Sequence, residues 1–437
     1  MATFNLVRNS KVVFTTNVDA NTGAVLASGF TTANTQELTV LDGFTFSQGT
    51  NSDAITISEA GSAPVRGQRS FNTSLNAAEF SLSTYARPFS ATTVKADEAV
   101  LWNALFTDVA TTATPISLAY TGTLTVTHVT GLLTLSATTI TATGLKVDDV
   151  VTVRGVVGDK ASQWNAPMKI VSISATTITA NYVVLPTAVA TAANWGISGV
   201  VSFSKTAWNE HTAVASDTDI APSAAPAYSS ITSATSNKNQ LLKFGMIFQV
   251  DGVTYTVDNC AMDQASIDFG LDGIATIAWS GKGTKLNQLA TNASFAPSGN
   301  DWNISGGLNG TVKGKNLFTT NYITNKLSTT TVKSNIGGIA GTSYTVALTG
   351  GNITIANNIN YVVPANIGVV NQAIGYYTGT RAVSGSLTAY LRTGTNNTGG
   401  ILANMLSNIG TATEPKFKVQ VEIGGITAAT RIEVLCD

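Results

Sequence analysis

The chain has 437 residues, enough for several sizeable cores, with 24 basic against 25 acidic residues and a net charge of −1. Charged residues make up only 11%, against roughly 25% in an average soluble domain, and no basic stripe is visible, which argues against sequence-specific nucleic-acid binding. Two distant cysteines, Cys260 and Cys436, form neither a disulfide framework nor a metal motif.

With so few charges, the polar surface falls to Thr, Ser, Asn and Gly. Thr, Val and Ile favour strands and Gly and Asn favour turns, so the expected fold class is all-β with a few short helices. Such a surface suits a subunit packed against copies of itself better than a free enzyme. The opening residues Met1 to Arg8 have no apolar stretch of the signal-peptide kind, and no run of eighteen apolar residues exists. Synthesis in a cytoplasm and no membrane contact are the expectations.

In chain order, residues 43–69 read as a long arm. Asp97 and Glu98 precede Leu101, Ala104 and Leu105, a short helix with an acid at its N-cap. Residues 115–204 read as an inserted small β domain on an exposed loop, with Ser-Ala-Thr-Thr-Ile-Thr-Ala at 136–142 and again at 174–180. Residues 206–240, rich in Ala, Ser and Pro, read as a loop. Phe244, Met246, Phe248 and Val250 alternate up to Asp251-Gly252, a strand ending at a hairpin signal. Alternation resumes at Ile267 and Phe269, then at Ile274, Thr276 and Ala278. Residues 285–300 read as a link. Ile401, Leu402, Met405, Leu406 and Ile409 follow helical spacing up to Gly410. Phe417, Val419, Val421 and Ile423 alternate up to Gly424-Gly425.

These elements repeat. Leu41-Asp42-Gly43 recurs as Leu348-Thr349-Gly350, and Gly61 recurs as Gly368, both at an offset of 307. Ser81-Leu82-Ser83-Thr84-Tyr85 matches Ser386-Leu387-Thr388-Ala389-Tyr390, at an offset of 305. A helix, an alternating strand and a cysteine near the end of the return strand follow in each copy. The expected organisation is a discontinuous first domain, 1–114 and 205–290, the insert at 115–204 on the exterior, and a second domain at 291–437. Copy one continues past Cys260 while copy two stops at Asp437, so one or two strands are expected from a neighbour or from a longer natural chain.

Catalytic readings are weak. Ser280-Gly281-Lys282-Gly283-Thr284 is reminiscent of a phosphate loop, but the first glycine of that motif would fall at 276, which is Thr; a strand-end turn is expected. His128 and His211 have no acid cluster around them. Asp148-Asp149 and Asp268/Asp272 read as solvated turn acids, and Trp102 as a core anchor. No catalytic, cofactor or metal residue is assigned.

At Gln48-Gly49-Thr50-Asn51-Ser52, Glu59-Ala60-Gly61, Arg66-Gly67, Ser74 to Ser81, Asp258-Asn259-Cys260, Trp279 to Gly283 and Gly385 to Leu391, the chain resembles the major tail tube proteins of long-tailed siphophages, in the subgroup with two fused tube domains. The resemblance covers most of the chain except the insert. It implies β-sandwich-like barrel domains flanked by a helix, and three chains closing into a pseudo-hexameric ring. Rings would stack into a hollow tube in the virion tail, through which viral DNA passes without specific binding during ejection. It implies as partners copies of the chain itself and the tape-measure, tail-tip and terminator proteins. The arm then reads either as an inter-ring stacking contact, with Gln48, Asn51, Glu59, Arg66 and Arg69 as its candidate residues, or as an ordinary hairpin loop. A secreted surface-layer or adhesin-like β protein shares the composition, and a polysaccharide-active tail enzyme would need a carboxylate pair in a groove.

Overall fold

The computed structural model describes residues 10–26, 29–55, 69–87, 96–106, 116–119, 124–127, 132–136, 147, 150–158, 167–182, 195–204, 208–210, 229–231, 241–250, 253–289, 322, 324–334, 343–367, 370–394, 396–408, 417–424 and 432–436. These residues are mostly β-strand with two helices, as the composition predicts.

The first helix, α1 (Ala99–Phe106), is framed by β1 (Ser10–Thr15), β2 (Thr35–Leu38), β3 (Thr45–Ile55) and β4 (Arg69–Tyr85) before it. After it, beyond residue 204, come β14 (Phe244–Val250), β15 (Val253–Gly270), β16 (Thr276–Gly283) and β17 (Lys285–Leu289). The hydrogen-bonded order is β2-β1-β14-β15-β16-β4-β3, with β17 on the first half of β15. β15 is long enough to serve two partners in turn: residues 253–260 pair with β14, and residues 261–268 pair with β16.

The chain then builds β18 (Thr329–Ser334), β19 (Ser343–Val346), β20 (Leu348–Ala356), β21 (Ile359–Val362), β22 (Gly375–Thr378) and β23 (Ala382–Ala389). The second helix, α2 (Thr398–Asn408), follows, and β24 (Phe417–Ile423) and β25 (Ile432–Cys436) come after it. Here the order is β19-β18-β24-β25, the same succession as β2-β1-β14-β15. Registers correspond as well. Thr45 faces Ser81, and Asn352 faces Ser386, the positions related by 307 and 305 residues. The cysteines are slightly out of step: Cys260 faces Phe244, whereas Cys436 faces Val419.

Every strand of the seven-stranded sheet β5-β11-β8-β9-β10-β7-β6 comes from residues 116–204: β5 (Ile116–Ala119), β6 (Leu124–Thr127), β7 (Leu132–Ser136), β8 (Val150–Gly158), β9 (Pro167–Ile173), β10 (Thr177–Tyr182) and β11 (Trp195–Ser204). Its described core is Met168, Ile170, Ile178 and Ala180, all buried.

One continuous core holds the first half. Phe14 stacks on Phe244 at 4.8 Å, Phe46 on Phe248 at 4.8 Å, and Trp102 meets Trp279 edge-on at 4.6 Å. Aromatic pairs of this geometry add roughly 0.5–1.5 kcal/mol each beyond area burial. Trp102 is thus a core anchor, as expected.

β14 is buried on both faces: Gly245 and Ile247 are as buried as Phe244 and Met246, because Val25 and Val18 close over its second face. Three local expectations change. Ser280 to Gly283 is not a turn but the end of β16, where Gly281 leaves room for the Phe80 ring. Residues 285–289 are not link but β17. In the expected 206–240 loop, two short strands, β12 (Trp208–Glu210) and β13 (Ser229–Ile231), pair with each other.

Asp97 and Glu98 also have a larger part than helix capping. The Arg87 guanidinium lies between their carboxylates, 2.7 Å from Glu98 and paired with Asp97. The Thr39 N–H donates to Asp97 and the Arg87 N–H to Glu98, so the cluster ties β2, the end of β4 and α1 together. One buried cation serves two buried acids, so one carboxyl favours its neutral form. Desolvation raises Glu98 to about 7, with Arg87 only partly offsetting it. The folded chain holds this proton more tightly than the unfolded one. Glu98 therefore contributes its full stability below pH 4.5 and loses it as pH climbs to about 7. Between those limits, denaturation midpoints should fall, by up to about 3 kcal/mol for this group. Glu98→Gln should flatten that dependence, and an unchanged slope in the variant would assign it to other groups.

Candidate functional site

The strands β3, β4, β16, the second half of β15, β20 and β23 form one uninterrupted ladder. The joint within it is the antiparallel pairing of β15 with β20, from Gln264 opposite Ala356 to Gly270 opposite Gly350. It fuses the first half of the chain to the second through backbone hydrogen bonds.

The two faces of this ladder differ sharply. On one lie Leu82, Trp279, Ala265 and Ile355 in a cross-strand row, with Ile277, Ile267 and Ile353 in the next, all turned toward the core. On the other, successive rows read Thr45-Ser81-Ser280-Gln264-Ala356-Ala382, Ser83-Ala278-Ser266-Thr354-Ser384 and Tyr85-Thr276-Asp268-Asn352-Ser386. Hydroxyls bond across strands: Ser266 with Thr354 at 2.9 Å, Thr45 with Ser81 at 2.7 Å, and Asn352 Nδ2 donates to Ser266 at 2.7 Å. The charges on this face are sparse, and two of them, Lys282 and Glu79, sit 3.7 Å apart. The period-two pattern of small hydroxyl residues carries this face in the sequence; its continuity across six strands needed the pairing to be known.

A second set of contacts locks the joint. Asn357 Nδ2 donates to Leu105 O at 2.8 Å and to Met262 O at 3.0 Å. Arg381 donates to Leu105 O at 3.1 Å and to Asn357 Oδ1 at 2.8 Å, with its guanidinium 5.2 Å from the Phe106 ring centre. Burial lowers Arg381 to about 10, so it stays cationic at neutral pH. The hairpin β21–β22 reaches back over the first half. The Tyr361 hydroxyl donates to Asn259 O or Lys282 O, at 2.7 and 2.9 Å, and Leu75 N–H donates to Asn371 O at 2.8 Å. Gly351 has no Cβ because one would lie 2.6 Å from the Phe269 ring.

The arm candidates are distributed as follows. Gln48 on β3 donates to Asn76 O at 2.8 Å and Thr284 O at 3.2 Å and accepts from Leu286 N–H at 3.0 Å. Asn51 donates to Ser74 and Asn76 at 3.0 and 2.9 Å. Both side chains staple the β3–β4 hairpin within the chain. Arg69 opens β4, its backbone paired with Ile55. Glu59 and Arg66 lie outside the described residues, as do His128, His211 and Asp149.

Among the described residues no group of three or more His, Cys, Asp or Glu could hold a metal ion, and no helix is long and apolar enough to cross a membrane. Cys260 is buried, and burial pushes its thiol well above the usual range. A shallow trough of about 280 Å³ lies on the hydroxyl face beside Glu79, Asp263 and Lys282.

A long two-faced ladder with a polar, nearly uncharged side and a core side defines a β-sheet building block. No family model matches the chain. The chain is distantly homologous to the tail tube protein pb6 of Escherichia phage T5, 24% identical over 389 residues. That match covers 88% of this chain and 57% of the phage protein, so the chain spans less than two thirds of its relative's length. Homology and fold together are consistent with a structural viral protein.

Proposed function

We propose that the chain is a major tail tube subunit of a siphophage, with two equivalent tube domains that close in threes into pseudo-hexameric rings. The observation that carries this reading is the joint. β20 lays its outer edge on β15, and β20 is the counterpart of β3, whose own outer edge ends the ladder. A strand of another copy, placed on β3 as β15 is placed on β20, continues the sheet from chain to chain. Repetition of one joint closes a ring, and closure removes free edges.

In that ring the hydroxyl face lines the lumen and the helices lie outside it. DNA then slides past Ser, Thr and Asn side chains that offer few cations to its phosphates. The insert at 115–204 lies on the exterior, the arm at 43–69 reaches toward neighbouring copies, and terminator, tip and tape-measure proteins are the other partners of the virion tail.

Electron microscopy of the concentrated protein tests this directly. End-on views should show hollow rings with six lobes from three chains, and a variant lacking 115–204 should form the same rings with less exterior density. Monomers under every condition, or rings whose lobes do not number twice the chains, would end the reading.

A further inference from the structure

The two helices are built alike and covered differently. In α1, Leu101, Trp102, Leu105 and Phe106 are all buried. The same spacing in α2 brings Ile401, Leu402, Met405 and Leu406, and the last three are 48%, 43% and 69% exposed. The adjoining strands differ in the same way. Phe80 and Leu82 of β4 are buried, whereas Val383 and Leu387 of β23 are 58% and 36% exposed. In the first half the cover is a β-hairpin, Asp263–Gly283: Trp279 lies opposite Leu82 on β4 and against Trp102 on α1. Among the described residues β23 pairs with β20 alone, so the edge corresponding to the one β16 occupies on β4 carries no strand.

We propose that this apolar face of β23 and α2 is a docking site for a two-stranded β-hairpin of a partner polypeptide. The hairpin is built like Asp263–Gly283, with large apolar side chains alternating with hydroxyl-bearing or small ones. Three observations select this occupant. The site joins an apolar surface to a strand edge on which, among the described residues, no strand pairs; the backbone N–H and C=O groups of such an edge are satisfied by a strand and not by a helix. The segment Thr398–Asn408 carries no charge, so nothing there steers a charged partner. The chain also shows the solution once, on α1 and β4. By the register of that precedent, an aromatic residue placed like Trp279 falls opposite Leu387. The outer strand of the docked hairpin would present an edge to a further copy, as β15 does to β20. The inference rests on the equivalence of the two halves and not on the tube.

The experiment uses the full chain, kept dilute enough to stay unassembled, and a synthetic peptide of Ala261–Gly283. Hydrogen exchange should slow by roughly tenfold or more in Ala382–Ala389 and Thr398–Asn408 when the peptide is added. The double variant Leu402→Asp/Leu406→Asp should weaken peptide binding by at least about tenfold; both leucines are exposed, so the fold tolerates the change. A peptide carrying Trp279→Asp should bind as weakly to the unaltered chain. Absent protection at saturating peptide, or equal binding to the variant, would overturn the proposal. So would protection without peptide that grows with protein concentration, because a second copy then covers the face.

Discussion

Trp279→Ala should be the most damaging single substitution in the first half, at about 3–5 kcal/mol for loss of a large buried side chain. The ring is 1% exposed and meets Trp102 at 4.6 Å, and its Nε1–H donates to the buried Thr84 hydroxyl at 2.9 Å. Its removal opens a cavity between α1 and the ladder and leaves that hydroxyl without its donor, which adds to the loss. Since β16 is the strand between β4 and β15, the damage spreads along the sheet toward the joint. Denaturation midpoints give the comparison. Leu82→Ala, opposite Trp279, should cost about 2–4 kcal/mol, whereas its counterpart Leu387→Ala, 36% exposed, should cost less than about 1 kcal/mol. Equal losses at Leu82 and Leu387 would show that the second half is covered in solution.

The second large effect concerns the hydroxyl face. Ala278 and Ser386 are both exposed on it, on β16 and β23 respectively. Changing both to Lys should leave the fold intact, because neither side chain enters the core. In the proposed trimeric ring the pair would place roughly six new cations around the lumen, repeated at every ring, and each phosphate they meet would steepen the salt dependence of binding. Assembled tubes of the variant should retain double-stranded DNA at about 50 mM salt and release it at about 200 mM, a range over which several phosphate contacts change affinity by orders of magnitude. Unaltered tubes should retain none at either concentration. Retention by unaltered tubes would contradict the inert lumen, and variant tubes that ignore DNA would place this face outside.

Much of this protein is legible in its residue pattern. Low charge with abundant Thr, Ser, Asn and Gly points to strands and turns, and the described residues are mostly strand with two helices. The helical spacings at 101–105 and 401–409 locate both helices to within a few residues, because apolar residues recurring every 3.6 positions fall on one side of a helix and on both sides of a strand.

Tertiary structure decided the rest. Alternation marks β14 as a strand, and packing by Val18 and Val25 buries both of its faces; a local period reports a strand, not what closes over it. Glu98 looked like a helix-end acid and became half of a buried clamp only because Arg87 arrives from the end of β4. Nothing near Gln48 in sequence shows that Leu286 of β17 donates its N–H to the Gln48 carboxamide oxygen; only the folded chain brings the two together. Nothing local marks β20 as the partner of β15: backbone donors and acceptors are the same along every strand, so the choice rests on Phe269 fitting over Gly351 and on Asn357 and Arg381 locking Leu105. Local pattern was enough to place both helices and many of the strands. Only the folded chain decided which edges meet, because edge pairing is selected by the shapes and buried polar groups that distant segments bring to it.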